Sequence, residues 1–301
     1  MKRLFIAVLA VAALAACSKE EAVNIDRGEA IGFSAPFVDN ATRADYSDGT
    51  TLIDQFLVYG TVTGNGNTVN IFEGATVSRN GKQYGEIWEC NQEEYWVPQC
   101  TYEFAAVVDA VSVKTDDTTG MPLELTYAVG GGDLLYATAS ESTVNANGTP
   151  ANSTVAFSFG HLLSKVLFSF ENGAENTNYG FEVTDVTIDG LNVNGKYTIA
   201  SEAWAATDTT TTDLSFGNGS EAQLILPLEQ TLDITITYDV IYKGEKINEG
   251  VTKSKADWTY AFETNTVYDI NVIIPAPGAE MTFTVKEVGQ WDEPSADITI
   301  P

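Results

Sequence analysis

Three cysteines, a single histidine and a few arginines carry most of the reactive chemistry open to this 301-residue chain. His161 sits in "FGHLLSK" beside Phe159 and Leu162, the setting of a structural histidine at a junction. With no other imidazole present, Ser-His-Asp and Cys-His catalysis are set aside, because both need a ring that relays a proton near neutral pH. Cys90 and Cys100 are close enough in sequence for a disulfide, which would contribute about 2–3 kcal/mol in an oxidising compartment. Two reduced core thiols are the other reading. One histidine and two thiols do not complete a zinc site without carboxylates, so no metal is expected. Gly130-Gly131-Gly132-Asp133 lacks the lysine of a phosphate loop, and Asp116-Asp117 reads as a turn rather than a calcium loop. No carboxylate pair stands out for glycoside hydrolysis. Trp88, Tyr95 and Trp96 could form an aromatic sugar platform, and core packing explains them as well. No cofactor and no catalytic residue is expected.

The third cysteine, Cys17, has a different context. Lys2 and Arg3 precede an apolar run from Leu4 to Ala16, and Leu14-Ala15-Ala16 lead directly to the thiol. The run is too short for a permanent membrane helix; a basic start, a short apolar stretch and small residues before a cut make a secretory signal. A cysteine at that cut resembles the lipobox of bacterial lipoproteins, in which the thiol receives diacylglycerol. Ser18-Lys19-Glu20-Glu21 is similar to the export tag of surface lipoproteins in the Bacteroidota. Residues 1–16 are thus read as a signal peptide and Cys17 as the lipidation site, with outer-membrane lipid as its first partner.

The elements that must carry these residues are strands. Alternation with period two runs through "FEVTDVTIDGLNV" (181–193), "LDITITYDVIYKG" (232–244) and "TVYDINVII" (266–274), rich in Thr, Val, Ile and Tyr. Gly64-Asn65-Gly66, Asn80-Gly81, Asn147-Gly148, Asn194-Gly195 and Lys243-Gly244 punctuate them as turns. No long amphipathic helix follows the signal. The fold expected is all-β, two β-sandwiches in tandem, with a boundary near residue 160. The formal net charge of -27 repels phosphate and anionic lipid surfaces, so nucleic acid is not an expected partner.

Five stretches occur in one order: "YWVPQCTYEFAAV" (95–107), "GDLLYATAS" (132–140), "VAFSFGHLLSKVLFSF" (155–170), "LILPLEQTL" (224–232) and "ADWTYAFETNTVYDINVII" (256–274). Together, behind a lipobox, they resemble the fimbrillin family, the Mfa-like pilins of the Bacteroidota. Val97 interrupts the usual Tyr-Trp-Pro, and the usual Pro-Gln pair is spread over Pro227-Leu228-Glu229-Gln230. The resemblance implies two transthyretin-like β-sandwiches completed by donor-strand exchange. It also implies a lipoprotein precursor, cut by an arginine-specific protease, whose first strand leaves so that a neighbouring subunit's strand can enter.

The residues fit that scheme. In "AIGFSAPFV" (30–38), Ile31, Phe33, Ala35 and Phe37 share one face, and as an edge strand this segment would bury three large side chains, roughly 5–9 kcal/mol. Its removal would open an apolar trough that another strand can fill by β-augmentation. Arg43 follows within "DNATRAD", so the cut is expected between Arg43 and Ala44, and residues 17–43 form a lipidated propeptide. An N-terminal sandwich over 44–160 and a C-terminal one with its tail over 161–301 follow. Met281, Phe283 and Val285 alternate in "EMTFTVKEV", and Ile298 and Ile300 in "DITIP". One stretch completes the second sandwich and the other is donated; which is which stays open. The function implied is that of a structural, non-enzymatic subunit of a cell-surface fimbria at the outer membrane, supporting adhesion to a host or glycan ligand. The alternatives are a tip or basal-anchor fimbrillin, or a permanently lipidated glycan-binding protein.

Overall fold

The structure, a computed structural model, describes residues 29–38, 53–81, 86–143, 154–219, 221–277 and 281–290. Cys17, Arg43, Ala44, Ile298 and Ile300 lie outside them. The described chain is strand throughout, apart from turns and a 3-10 turn at Ile199–Ser201.

The first segment supplies β1 (Gly32–Phe33) and β2 (Phe37–Val38), interrupted around Pro36, which has no N–H to give a ladder. β3 (Gln55–Gly64) and β4 (Asn67–Ser78) form a hairpin. Asn65 and Gly66 close it with φ of 51° and 79°, the two positive values that a tight hairpin turn requires. Next come β5 (Glu89–Cys90), β6 (Thr101–Val108), β7 (Ser112–Thr115), β8 (Pro122–Ala128), β9 (Leu135–Ser142), β10 (Thr154–Val155) and β11 (Ser158–His161). The second half holds β12 (Ser164–Asn172), β13 (Tyr179–Asn192), β14 (Asn194–Thr198), β15 (Ala203–Ala206), β16 (Thr211–Ser215) and β17 (Gln223–Ile225). β18 (Glu229–Tyr242), β19 (Glu245–Ala261), β20 (Thr266–Ile274) and β21 (Thr282–Gln290) complete it.

These strands assemble into a seven-stranded sheet, β2-β11-β9-β6-β3-β4-β5, and three four-stranded sheets, with β1 and β10 pairing separately. In the second half, β17-β12-β20-β21 and β16-β13-β18-β19 share one core of Val166, Phe168, Ile188, Ile234, Ile236, Ile270 and Val272. β18 shows why: its even-numbered residues from Gln230 to Ile236 are buried while the odd ones stay wetter, as the Thr-Ile alternation of its sequence dictates. The first half has its own core around Phe33, Phe56, Phe72, Phe104 and Phe157.

A third cluster joins the halves. Tyr59, Ala105 and Val107 on the reverse face of the seven-stranded sheet pack with Leu125, Tyr127, Leu163, Tyr197 and Leu226. β6 is therefore buried on both faces along "FAAVV", which explains an apolar run without alternation. The remaining sheet, β15-β14-β8-β7, pairs β8 from before residue 160 with β14 from after it. At the junction the His161 Nδ1 meets the Asp133 carboxylate, and the histidine is buried.

The expected disulfide is corrected: Cys90 and Cys100 are both free thiols. Cys90 stands opposite Val77, which pairs with Phe56 near the start of β3. Cys100 lies beside Gly64 at the far end of β3, where a Cβ on that glycine would come within 2.5 Å of its Sγ. Phe56 and Gly64 are eight strand residues apart, about 26 Å, whereas bridged Cα atoms sit about 4.4–6.8 Å apart. The segment between the cysteines, with bends at Asn91 and Gln92 and a turn at Pro98-Gln99, does not bring them together. Alkylation of the unreduced protein after unfolding should modify both thiols; a cross-linked peptide pair would contradict this register.

Like charges face one another across β13 and β18, where Asp189 pairs with Asp233. Burial, then the charges of Asp213 and Asp233, push the Asp189 carboxyl above its usual value. The folded state thus holds this proton more tightly than the unfolded chain, so its contribution to stability falls as pH rises through the ordinary and then the raised value. Asp189→Asn is expected to raise the melting temperature at pH 7, and the gain should vanish below about pH 4. A lower melting temperature at pH 7 would show that the carboxylate is needed as an acceptor.

Candidate functional site

The site is the slot that holds residues 29–38. Its backbone is engaged on two sides. On one, Ile31 N–H donates to the Glu94 carbonyl (2.8 Å), Trp96 N–H to Glu29 (3.0 Å) and Trp88 N–H to Phe33 (2.9 Å), with antiparallel bridges Ala30–Tyr95 and Phe33–Trp88. On the other, β1 runs parallel to β10, Phe33 beside Val155, and Ser34 N–H donates to the Val155 carbonyl (2.9 Å). Farther on, β2 runs parallel to β11, with Phe37 opposite Ser158 and Val38 opposite Phe159. The expectation of an edge strand is therefore corrected for residues 29–34, which lie between two partners; of this segment, β2 alone lies at an edge of the large sheet, whose other edge is β5.

Side chains follow the alternation read from the sequence. Ile31 (6%), Phe33 (0%) and Ala35 (5%) are buried, while Gly32 and Ser34 on the opposite face are half-buried. Phe37 belongs to β2, and its side chain is outside the described set. The Phe33 ring sits in a cage of four others, at centroid distances of 6.3 Å to Phe56, 5.6 Å to Phe72, 6.2 Å to Phe104 and 6.1 Å to Phe157. Three contacts are edge-on and the fourth is stacked, arrangements the ring quadrupole favours. Among the described side chains of the segment, none other is gripped so fully.

The slot's far wall contains the aromatics read as a sugar platform. Trp88 (4% exposed) and Trp96 (2%) belong to the first core instead, and Tyr95 is half-buried against the first segment. The Trp96 ring meets Tyr102 edge-on at 4.7 Å, and the Tyr102 oxygen accepts the Val97 N–H at 2.6 Å. Burial pushes that phenol up to about 12. Neither indole is free to stack on a sugar. Sequence reading missed these residues as walls, because Trp88 and Val155 reach Phe33 only through non-local pairing. The run "WECNQEEYW" was the available signal, an aromatic at each end of a polar stretch.

The candidate donor residues divide. Phe283 and Val285 lie in β21, antiparallel to β20, opposite Val272 and Ile270. With Met281 they are half-buried against the second core, while Thr282 and Thr284 between them are exposed. Among the described residues β21 is an edge strand, hydrogen-bonded on one side only. Among the described residues no group of three or more His, Cys, Asp or Glu is placed to hold a metal ion.

The described chain is thus all-β, with packed open sheets and an apolar first segment seated in its first core. The sequence model described as fimbrillin-like matches residues 42–291, and the chain belongs to that family. No curated protein matches it. Among solved structures, a fimbrial protein from Bacteroides vulgatus ATCC 8482 superposes with a TM-score of 0.58 at 14% identity, over 86% of this chain and 99% of that one. A candidate cell-adhesion protein from Bacteroides uniformis ATCC 8492 gives 0.53 at 17% identity, over 87% and 99%. At such identities the likeness speaks for the fold alone. Family membership supports a pilus subunit that interacts with other fimbrillin subunits in a cell-surface fimbrium.

Proposed function

We infer that this chain is a structural, non-enzymatic fimbrial subunit that travels as a lipoprotein precursor and polymerises by strand exchange. Cys17 carries the lipid, an arginine-specific protease cuts between Arg43 and Ala44, and residues 29–38 leave with the propeptide. The slot then takes a strand from a neighbouring subunit. The observation that carries this reading is the seating of the first segment: Phe33 is fully buried in four rings, yet the segment precedes Arg43 and is joined to the rest of the chain only through it. Once severed, the segment is held by non-covalent contacts alone, and the groove it vacates exposes apolar surface with unpaired backbone groups. A strand from another subunit restores both. The burial of Trp88 and Trp96 removes the feature on which a glycan-binding reading rested.

N-terminal sequencing of the mature surface protein tests the scheme. The chain should begin at Ala44, and labelled fatty acid should enter the wild-type precursor but not Cys17→Ala. Mature surface protein that still begins at a lipidated Cys17 would instead make the chain a permanent lipoprotein.

A further inference from the structure

Strand exchange leaves open which segment is donated, and the slot itself discriminates between the two candidates. Its deepest position is the four-ring cage of Phe33, and an incoming strand that lacks an aromatic there would leave a cavity in a packed core. Five residues of the seated strand, Ile31-Gly32-Phe33-Ser34-Ala35, have one counterpart near the C-terminus: Met281-Thr282-Phe283-Thr284-Val285. Both place apolar residues at alternate positions about a central phenylalanine, and both follow it with a hydroxyl; Val285 is larger than its counterpart Ala35. In the seated strand that hydroxyl, Ser34 Oγ, points to the Val155 carbonyl at 3.4 Å. The likeness ends at the next position, where Lys286 stands in place of Pro36. "DITIP" offers Ile298 and Ile300 but no aromatic.

We propose that β21 is the donated strand and that Phe283 of one subunit enters the Phe33 cage of the next; this rests on the strand-exchange reading above. The second sandwich holds β21 in a way that suits release. Among the described residues it is an edge strand with β20 as its one partner. Its apolar face is half-buried, and Phe283 makes no ring contact among the described residues, where Phe33 makes four. The side chain thus exchanges a half-exposed position for a fully enclosed one. On the opposite face, steric room exists for the larger of the two changes in size, Gly32 to Thr282. A Cβ at position 32 would approach Ile87 Cγ2 to 3.3 Å, and Ile87 is 57% exposed and can shift outward to admit Thr282.

The test uses the full-length precursor treated with an arginine-specific protease and read as SDS-resistant ladders. Phe283→Ala should reduce ladder yield by about tenfold or more, because a truncated side chain forfeits the burial the cage provides. Phe283→Tyr should retain ladders better than the alanine variant, and the double variant Ile298→Ala/Ile300→Ala should match wild type. A mixing arm controls for folding. Cleaved Phe283→Ala keeps an open slot but lacks a good donor, whereas Arg43→Ala keeps a good donor but a filled slot. Mixed, they should form one SDS-resistant dimer and nothing longer. Ladders from Phe283→Ala equal to wild type, loss of ladders in the double isoleucine variant alone, or no dimer on mixing would each overturn the assignment of β21. Absence of ladders from cleaved wild type would instead overturn strand exchange, and the donor assignment with it.

Discussion

Arg43→Ala is expected to leave a folded, lipidated monomer that accumulates at the outer membrane, while cleaved wild type loses residues through Arg43 and forms SDS-resistant ladders. The reason is competition for one slot. While residues 29–38 remain covalently attached, they face their groove at an effective concentration on the order of millimolar or above, which a free partner does not reach. They also hold it on two sides, through Ile31, Trp96 and Trp88 toward one wall and Ser34 toward the other. A donor making comparable contacts therefore gains nothing by displacing an attached strand. Cleavage removes the tether without altering a single contact, so its effect should be nearly all-or-none. Ladders from Arg43→Ala as abundant as those from wild type would sink the mechanism.

Phe33→Ala should have two effects of opposite consequence. In the uncleaved precursor it empties a cage formed by Phe56, Phe72, Phe104 and Phe157, and the loss should be about 3–5 kcal/mol, as for other buried Phe→Ala changes. Urea unfolding of the precursor would show it as a lower midpoint with an unchanged slope. After cleavage the same weakness becomes an advantage. The severed strand dissociates faster, and the incoming strand still finds an intact cage, because Phe33 is not part of the polymerising subunit. Ladder formation should therefore be quicker than in wild type. A variant that is less stable as a precursor yet no faster after cleavage would show that strand departure does not limit assembly.

Much of this was legible before any coordinates. The period-two alternation of "LDITITYDVIYKG" reports which side of β18 is wet, and Ile31, Phe33 and Ala35 share a buried face as their spacing requires. Pairing was the illegible part. Nothing local in "AIGFSAPFV" says that it lies between the Glu94–Trp96 stretch and Thr154–Val155, because those contacts close long loops and are set by the whole sheet. The cysteines failed for a related reason. Nearness in sequence means nearness in space only if the chain turns back in the right place, and here Cys90 and Cys100 lie at opposite ends of β3. The aromatics near Trp88 were ambiguous because a half-exposed platform and a groove wall have the same composition. What separates them is the partner strand that covers the rings. The pairing of β8 with β14 likewise ties together halves that periodicity alone presents as separate.

The seating of the first strand also has a mechanical side. Its hydrogen bonds to Glu94, Trp88, Trp96 and Val155 reach sideways from the strand, while its long axis runs along β10 and β11. Traction applied across the strand would peel these bonds one after another. Traction along its axis loads them together in shear, with the Phe33 ring acting as a detent that must be dragged out of its cage. A strand docked in the same slot and pulled end to end, as in a filament under flow, meets the stronger of these two resistances. Rupture under load is governed by the rate of unseating rather than by the equilibrium affinity, so the direction of pull matters as much as the contacts themselves.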